Sequence, residues 1–404
     1  MSRLGLYIHI PFCQTKCGYC DFYSVAVHHD RPSDKLLDCL LRELDGRTSQ
    51  RTSVIHTIFV GGGTPTLLAA DQLTRLLTPL GRICRQDRCA EFSVEANPAT
   101  LDDEKLGLLT AAGVDRLSMG AQSFHADDLA VLERLHSPDD IGLAVDLARR
   151  HGLRRINLDL IFGIPGQTLE RWRASLERAI ALDVDHIACY GLTYEPGTRL
   201  TRQHQAGRIR PIDDALEAEM YEWAIDRLAE AGYAQYEISN FARPGQECRH
   251  NLIYWRNEEY IGVGPSAAGW LGGVRYKNVA DIGTYQRMIA RDGQAVIESE
   301  RLSGAAAACD TLITQLRLNE GLDSAGFVAR HGHGLWQQLE AAARALAAVG
   351  LCMSGDERLC LTRAGRLVAD AVIARLMAEL DEPFDVPPDR RLPVLTSTHG
   401  AEPR

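Results

Sequence analysis

The feature of this sequence that most limits its fold is a sixfold alternation of β-rich runs with amphipathic segments in the first half of the chain. The β-rich runs are LYIHI (6–10), HTIFV (56–60), EFSVEA (91–96), RLSMG (116–120), INLDLIF (156–162) and HIACYGL (186–192). Between them lie segments such as DKLLDCLLREL, whose apolar residues recur at the three- and four-residue spacing of a helix with one buried face. Six strand–helix units in succession predict an α/β fold on a parallel sheet, either an incomplete (β/α)6 barrel or a doubly wound sheet.

Polar or glycine-rich features follow the ends of these predicted strands. The run GGGTPT (61–66) comes after the second strand, Glu95 ends the third, Gln122 follows the fourth, and Asp159 lies in the fifth. Parallel barrels assemble their ligand sites at the carboxyl ends of the strands. The arrangement therefore favours the incomplete barrel and predicts one shared site at its carboxyl edge.

Composition and charge limit the possible partners and the compartment. The chain has 404 residues and a formal net charge of -10, which argues against broad binding to nucleic acid or anionic lipid. The short apolar run at the start is broken by His9 and Pro11, so it predicts neither a signal peptide nor a membrane span. Eleven cysteines, several of them within apolar patterns, fit reduced thiols. We expect a cytoplasmic protein with no nucleic-acid partner.

Three cysteines crowd into the segment CQTKCGYC, namely Cys13, Cys17 and Cys20. Three thiolates can hold three irons of a four-iron four-sulfur cluster and leave the fourth iron open to another ligand. A zinc site that adds His9 or His28 is an alternative, because three cysteines and a histidine form a known structural set. A buried group of thiols without metal is a third interpretation.

The three-residue and two-residue spacing in CQTKCGYC, combined with GGGTP, resembles the signature of the radical S-adenosylmethionine (SAM) proteins. The resemblance covers roughly residues 1–200. It implies that SAM chelates the open iron through its amino and carboxylate groups. One electron from a donor then cleaves SAM to a 5'-deoxyadenosyl radical, while the protein positions and shields the reactants.

The longer string YIHIPFCQTKCGYCDFYS resembles the branch of this superfamily that contains oxygen-independent coproporphyrinogen dehydrogenase and the heme chaperones. By position, the resemblance implies cofactor contacts from Tyr7, Tyr19, Gly62, Gly63, Thr64, Glu95, Gln122, Arg134 and Asp159. The residue types suit SAM, because carboxylates accept from ribose hydroxyls and an ammonium, and an arginine fork meets a carboxylate. Glycines also allow backbone groups to approach the methionine amino end closely. The alternatives are ordinary packing for the tyrosines, a plain turn for the glycines and a solvated helix face for Arg134.

A second motif, HNLIYW, lies beyond residue 200, after a segment that reads as one amphipathic helix. In one interpretation His250 is an axial iron ligand, Asn251 supports it, and Tyr254 and Trp255 give flat apolar surface for a porphyrin. In the other, the histidine is a hydrogen-bonded residue of a capped loop and the aromatic rings are core. The motif resembles the HNxxYW signature of the heme chaperones, which favours the first interpretation.

The composition also predicts how the chain is divided. We expect a radical SAM partial barrel over residues 1–200 and an α+β extension over 201–300. A small winged-helix-like module with a hairpin follows over 301–380, and a disordered, proline-rich tail over 381–404. The negative charge favours partner contact over DNA binding for the C-terminal module.

Two functions remain open. The first is a heme chaperone that carries heme to acceptor heme proteins, which we expect to be membrane-associated respiratory enzymes. The second is coproporphyrinogen dehydrogenase, which oxidatively decarboxylates two propionates. The resembled dehydrogenase has a further cysteine at the position where this chain has Phe22. The dehydrogenase also has a long amino-terminal extension before its first strand, whereas the first strand of this chain begins by residue 6. These differences favour the chaperone, a binding and transfer protein, over a turnover enzyme. We also expect the cluster to gate heme release or formation of a homodimer.

Overall fold

A computed structural model describes residues 3–27, 32–49, 51–355 and 357–380. His28 and the tail predicted over 381–404 lie outside these residues. The strands are β1 (Leu4–Ile10), β2 (Phe12–Cys13), β3 (Val25–Ala26), β4 (Ile55–Gly62), β5 (Glu91–Ala96), β6 (Arg116–Gln122), β7 (Arg155–Phe162), β8 (His186–Gly191), β9 (Ala234–Gln235), β10 (Asn240–Ala242), β11 (Glu259–Val263), β12 (Ala268–Leu271), β13 (Val274–Asn278), β14 (Val296–Arg301), β15 (Leu322–Asp323), β16 (Cys352–Ser354) and β17 (Arg358–Leu361).

The helices cover the sheet and build the C-terminal module. They are α1 (Asp34–Ser49), α2 (Ala70–Asp87), α3 (Asp103–Ala112), α4 (Ala126–Val131), α5 (Pro138–Arg150), α6 (Leu169–Ala181), α7 (Arg199–Gln205), α8 (Asp214–Glu230), α9 (Arg249–Trp255), α10 (Ile282–Asp292), α11 (Gly304–Gln315), α12 (Ser324–His331), α13 (His333–Ala348), α14 (Arg363–Leu367) and α15 (Ala369–Met377). Short 3-10 turns follow β4 and β5 at Pro65–Leu67 and Pro98–Thr100. None of the helices in the described ranges combines the length and the apolar character that a membrane crossing needs.

A single twelve-stranded sheet runs through the molecule in the order β14-β13-β12-β11-β1-β4-β5-β6-β7-β8-β10-β9. The six predicted strands, β1 and β4 to β8, lie side by side in sequence order and are all parallel. This confirms the α/β fold predicted from the sixfold alternation. One strand that the sequence pattern did not reveal, β11, adds a further parallel strand beside β1.

Side chains of the parallel strands alternate between two environments, as the pleat requires. The apolar residues, such as Leu6, Val94 and Leu158, are buried in the main hydrophobic core with the inner faces of the helices. The residues between them on the central strands are polar, for example Ser93 and Asn157, and these are buried as well. The sheet therefore carries a hydrophobic face toward the helices and a polar face toward the interior of the partial barrel.

The last part of the chain has a core of its own. Leu312, Phe327, Leu339 and Ile373 are among its buried residues. Helices α11 to α13 pack with a small sheet in the order β15-β17-β16, in which β16 and β17 form the predicted hairpin. Elements of the predicted winged-helix-like module are thus present, whereas its boundaries stay a prediction.

Candidate functional site

The three clustered cysteines lie just beyond the carboxyl end of β1. Cys13 ends the short strand β2, and Cys17 and Cys20 follow in the next loop. Thr64, from the glycine-rich turn, directs its Oγ1 at the Sγ of Cys13 over 3.9 Å. Burial raises the pKa of Cys13, and burial together with the neighbouring Cys17 raises the pKa of Cys20 to about 11. Iron binding requires the thiolates, so a cluster here would displace protons as it binds.

Arg134 connects the cysteine loop to the end of β6. Its Nη1 donates to the Sγ of Cys17 at 3.4 Å, and its Nη2 donates to the carbonyl of Gly120 at 2.6 Å. Its Nε is buried and has no hydrogen-bond partner among the residues that the structure describes. A Cβ on Gly120 would stand 2.7 Å from the Nε2 of Gln122 and 3.3 Å from Arg134 Nη2, so the ends of these two side chains lie over Gly120. The Nε could therefore donate to one further acceptor, such as a carboxylate.

The glycine-rich turn after β4 is folded tightly against its neighbours. Its N–H groups are already used, since Gly62 donates to Glu95 Oε2 (2.9 Å), Gly63 to the carbonyl of Ile10 (2.8 Å) and Thr64 to that of Phe12 (2.7 Å). Gly62 has φ +105, and a Cβ there would lie 2.5 Å from the ring of His9. An ammonium group only donates, so any backbone contact from this turn to such a group must use carbonyl oxygens.

Two carboxyl groups, those of Glu95 on β5 and Asp159 on β7, share the polar face beside this turn. Burial, followed by the charge of Asp159, raises the pKa of Glu95 to about 7. The hydrogen bond from the Gly62 N–H acts in the opposite direction and lowers it. Burial also raises the pKa of Asp159, opposed by the side chain of Asn157, which donates to it at 2.9 Å. Two neighbouring carboxyl groups of raised pKa create a position that favours a cation or hydroxyl donors.

The two tyrosines near the cysteines have defined partners. Tyr7 bonds through its hydroxyl to Nδ1 of His9 at 2.9 Å, and Nε2 of His9 lies 2.9 Å from the carbonyl of Tyr23. Both nitrogens of His9 are thus in use, which disfavours the zinc alternative built on that residue. Tyr19 packs against Leu132 and its neighbours. Burial raises its pKa, while the Arg134 guanidinium acts in the opposite direction.

The HNLIYW motif forms α9 at the other edge of the sheet. His250 is fully buried, with Nδ1 2.7 Å from Thr57 Oγ1 and Nε2 2.8 Å from the Tyr254 hydroxyl. Its ring stacks on Phe59 at 5.2 Å between centroids. Burial lowers its pKa to about 4. Both imidazole nitrogens are hydrogen-bonded, so ligation of heme iron by His250 would require those bonds to break, and it stays a prediction.

The other motif residues hold α9 in place. Tyr254 packs edge-on against His250 and against Tyr260 of β11, with centroids 4.9 and 4.6 Å apart. Trp255 has a buried Nε1 without a hydrogen-bond partner, and Asn251 is half-buried in the first turn. The motif thus forms a helix, whereas the second interpretation of the sequence had placed it in a capped loop, and its Tyr254 packs against β11.

A buried ionic group anchors the start of α9 and was not singled out from the sequence. The Glu91 carboxylate accepts from the backbone N–H groups of Arg249 and His250 and from Arg155. Burial alone would raise the pKa of Glu91, but the positive charges of Arg116 and Arg155 outweigh it, so the pKa is lowered. The signal was present as polar residues at every second position of predicted strands, as in Glu91, Ser93 and Glu95.

Comparisons with known proteins agree with this arrangement. The family model of the radical SAM superfamily matches residues 7–179, and that of the HemN C-terminal domain matches residues 302–368. A Bacillus subtilis protein named heme chaperone HemW is 37% identical over 93% of this chain and 99% of its own length. A HemW of Mycobacterium tuberculosis is 39% identical, covering 92% of this chain and 94% of the relative.

The solved structure of coproporphyrinogen III oxidase, HemN, from Escherichia coli has the same fold. It superposes with a TM-score of 0.80 at 24% identity and covers 94% of this chain and 90% of the enzyme. The resemblance predicted from the cysteine and glycine motifs is confirmed. The chain belongs to the HemW family within the radical SAM superfamily.

Proposed function

We propose that Cys13, Cys17 and Cys20 hold a four-iron four-sulfur cluster whose fourth iron binds SAM. The support is their position at the carboxyl edge of the parallel sheet and the contact of Arg134 with the Cys17 sulfur. When bound, the cluster would supply the electron that cleaves SAM. An electron donor protein is therefore part of the proposal.

The same proposal assigns SAM contacts to the residues around the thiols. The unpartnered Nε of Arg134 would donate to a carboxylate or ribose oxygen, with Gln122 beside it. Glu95 and Asp159 would accept from the ammonium and the ribose hydroxyls. The carbonyl oxygens of the turn at 62–64 would accept from the amino end, and Tyr7 and Tyr19 would enclose the cofactor.

We propose that the chain is a heme chaperone, which binds heme and passes it to acceptor heme proteins. The observation that carries this is the near full-length match to relatives named heme chaperones. Phe22, two residues after Cys20, supports it, because the dehydrogenase has a cysteine at that position. Phe22 is 68% exposed. Membrane-associated respiratory enzymes remain the proposed acceptors, and the cytoplasm the proposed compartment.

The test is an anaerobic hemin titration of the cluster-loaded protein, followed by challenge with a heme-scavenging apoglobin. Saturable binding with slow loss to the scavenger would support the chaperone. Absence of a saturable Soret band, together with turnover of coproporphyrinogen in the presence of SAM and a reductant, would replace it by the dehydrogenase.

The cluster also has a proposed role in gating heme release or dimer formation. Holding heme alone does not require a SAM site, yet the complete set of candidate cofactor residues is present. Cys17→Ala is expected to remove the cluster and change the rate of heme transfer or the monomer–dimer equilibrium. If both stay as in the parent protein, the gating proposal is wrong.

A further inference from the structure

An open cavity of about 860 Å³ lies at the amino edge of the sheet, on the side opposite the cysteines. Arg3, directly before β1, lines it, as do Glu258 after α9, Trp270 of β12 and Leu302 before α11. Its volume falls in the range of about 300–1,000 Å³ that is usual for small-molecule sites. The cavity thus lies between the amino edge of the sheet and the C-terminal module.

The cavity offers two arginines to an anionic ligand. Within the part of the chain that the structure describes, Arg3 and Arg330 form no ion pair within 4 Å, and Arg330 donates a hydrogen bond to the carbonyl of Asn257 at 3.4 Å. Of the two acidic residues in the lining, Glu259 already accepts from the backbone of Gly272. Glu258 has a pKa raised by burial and opposed by the nearby arginines, among them Arg3 and Arg330.

The start of α11 adds to the positive character of the wall. Its N-cap, Ser303, makes no side-chain capping bond, and Ser303, Gly304 and Ala307 all line the cavity. The first N–H groups of a helix carry partial positive charge and favour anions. Trp270, Leu302 and Ala307 provide apolar surface beside these groups. The lining therefore combines the flat aromatic side chain of Trp270 with the positive charges of Arg3 and Arg330 and the partial positive charge at the start of α11.

His331, at the end of α12, brings a metal-ligating group to the same cavity. Its Nε2 lies 2.9 Å from Thr311 Oγ1, and that hydroxyl donates to the carbonyl of Ala307 at 3.1 Å. With its one proton donated to Ala307, the hydroxyl accepts from Nε2 of the imidazole, and in this tautomer Nδ1 carries a lone pair. Burial, followed by the charge of Arg330, lowers the pKa of His331 to about 4, so the ring is in the neutral form that binds metals.

We propose that this cavity is the heme site, with the heme carboxylates against Arg3 and Arg330, the ring against Trp270 and the iron on His331. The inference rests on the proposed heme-chaperone function and adds its location. It also gives the HNLIYW helix a structural purpose, because residues 257–259, directly after α9, form part of the wall. The helix would position the site without ligating the iron.

The arginine contacts are tested with Arg330→Glu and the control Arg344→Glu, an exposed arginine on α13 of the same module. Arg330→Glu is expected to weaken hemin binding at least about tenfold, the usual size of a lost charged hydrogen bond, and the control to leave it unchanged. Protoporphyrin IX dimethyl ester, which lacks the free carboxylates, is expected to bind both variants equally. Equal hemin affinity of the two variants would overturn the proposed site.

The iron ligand is tested with His331→Ala against His333→Ala, two residues further along and exposed. We expect the first to shift the Soret band and weaken hemin binding while iron-free protoporphyrin IX binds as before. Thermal melts of both variants report whether the module is folded. An unchanged spectrum in folded His331→Ala would reject this ligand. If the parent chain itself binds no heme, the chaperone function fails; if it binds and the cavity variants do not matter, only the location fails.

Discussion

Arg134 donates from Nη1 to the Sγ of Cys17 at 3.4 Å, although 117 residues separate them along the chain. The same guanidinium holds the carbonyl of Gly120 at the end of β6. One side chain therefore fixes the cysteine loop to the carboxyl edge of the sheet. Its Nε, which is buried and has no hydrogen-bond partner among the described residues, is an indication that a ligand completes this site.

Replacing Arg134 tests that indication. Arg134→Gln is expected to weaken SAM binding by about tenfold to a hundredfold, since a hydrogen bond to a charged group contributes about 1.5–3 kcal/mol. Titration calorimetry on the anaerobically reconstituted protein measures the affinity, and iron analysis checks that the cluster is retained. Arg150→Gln, on the exposed end of α5, is the control. Equal SAM affinity in both variants would remove Arg134 from the site.

The turn after β4 should tolerate no side chain. Gly62→Ala places a Cβ 2.5 Å from the His9 ring at a φ of +105, so we expect the melting temperature to fall by an amount that reflects about 1–3 kcal/mol of overpacking and strain. Gly46→Ala in α1, with nothing within 4 Å of the added atom, should instead stabilise by about 0.5–1 kcal/mol. Two variants that melt alike would contradict the packing described for this turn.

The raised pKa of Glu95 predicts a pH dependence of stability. Its pKa in the folded chain is about 7 against 4.5 for the free side chain, so the folded state binds the proton more tightly. The contribution of the protonated Glu95 to the stability of the fold is therefore complete below about pH 4.5 and is lost as the pH rises toward 7. Glu95→Gln should show a smaller loss of melting temperature over this range than the parent, whereas Glu230→Gln, on the exposed end of α8, should follow the parent. If the melting temperature of Glu95→Gln falls with pH as steeply as that of the parent, the Glu95 carboxyl group is not the cause of the pH dependence.

We expect His250 to contribute to the stability of the fold even in the absence of heme. His250→Ala leaves Thr57 Oγ1 and the Tyr254 hydroxyl without their partner, at a cost of about 1–3 kcal/mol for each buried group. Thermal melting without heme measures this loss. A variant that melts like the parent but no longer binds hemin would establish His250 as the iron ligand and refute the cavity site.

The sequence predicted the parallel sheet because each of its strands is a clear apolar run and each connection a strongly amphipathic segment. It placed Glu95, Gln122 and Asp159 at one edge because parallel strands all end there. Strand β11 escaped detection, since EYIGV is short, contains a glycine, and is separated from its partner β1 by more than half of the chain.

The environment of a single side chain was harder to predict. HNLIYW gave the residue types that bind a porphyrin, but sequence alone does not show that Thr57 and Tyr254 occupy both nitrogens of His250. The cavity was equally hidden, because Arg3, Trp270 and His331 come from distant parts of the chain and form no motif. Such contacts depend on how the C-terminal module packs against the sheet.

The central claim is that the chain keeps two separate sites. Arg3 precedes and Cys13 follows β1, and the seven residues of this strand, at roughly 3.3 Å each, separate the two backbone positions by about 20 Å. The most direct test is a hemin titration of the cluster-loaded protein with and without saturating SAM. We predict that hemin and SAM bind at the same time, so both titrations saturate at the same number of hemes per chain, with cluster iron and sulfide unchanged at saturation. Competition between hemin and SAM, or heme binding only after loss of the cluster, would contradict the account.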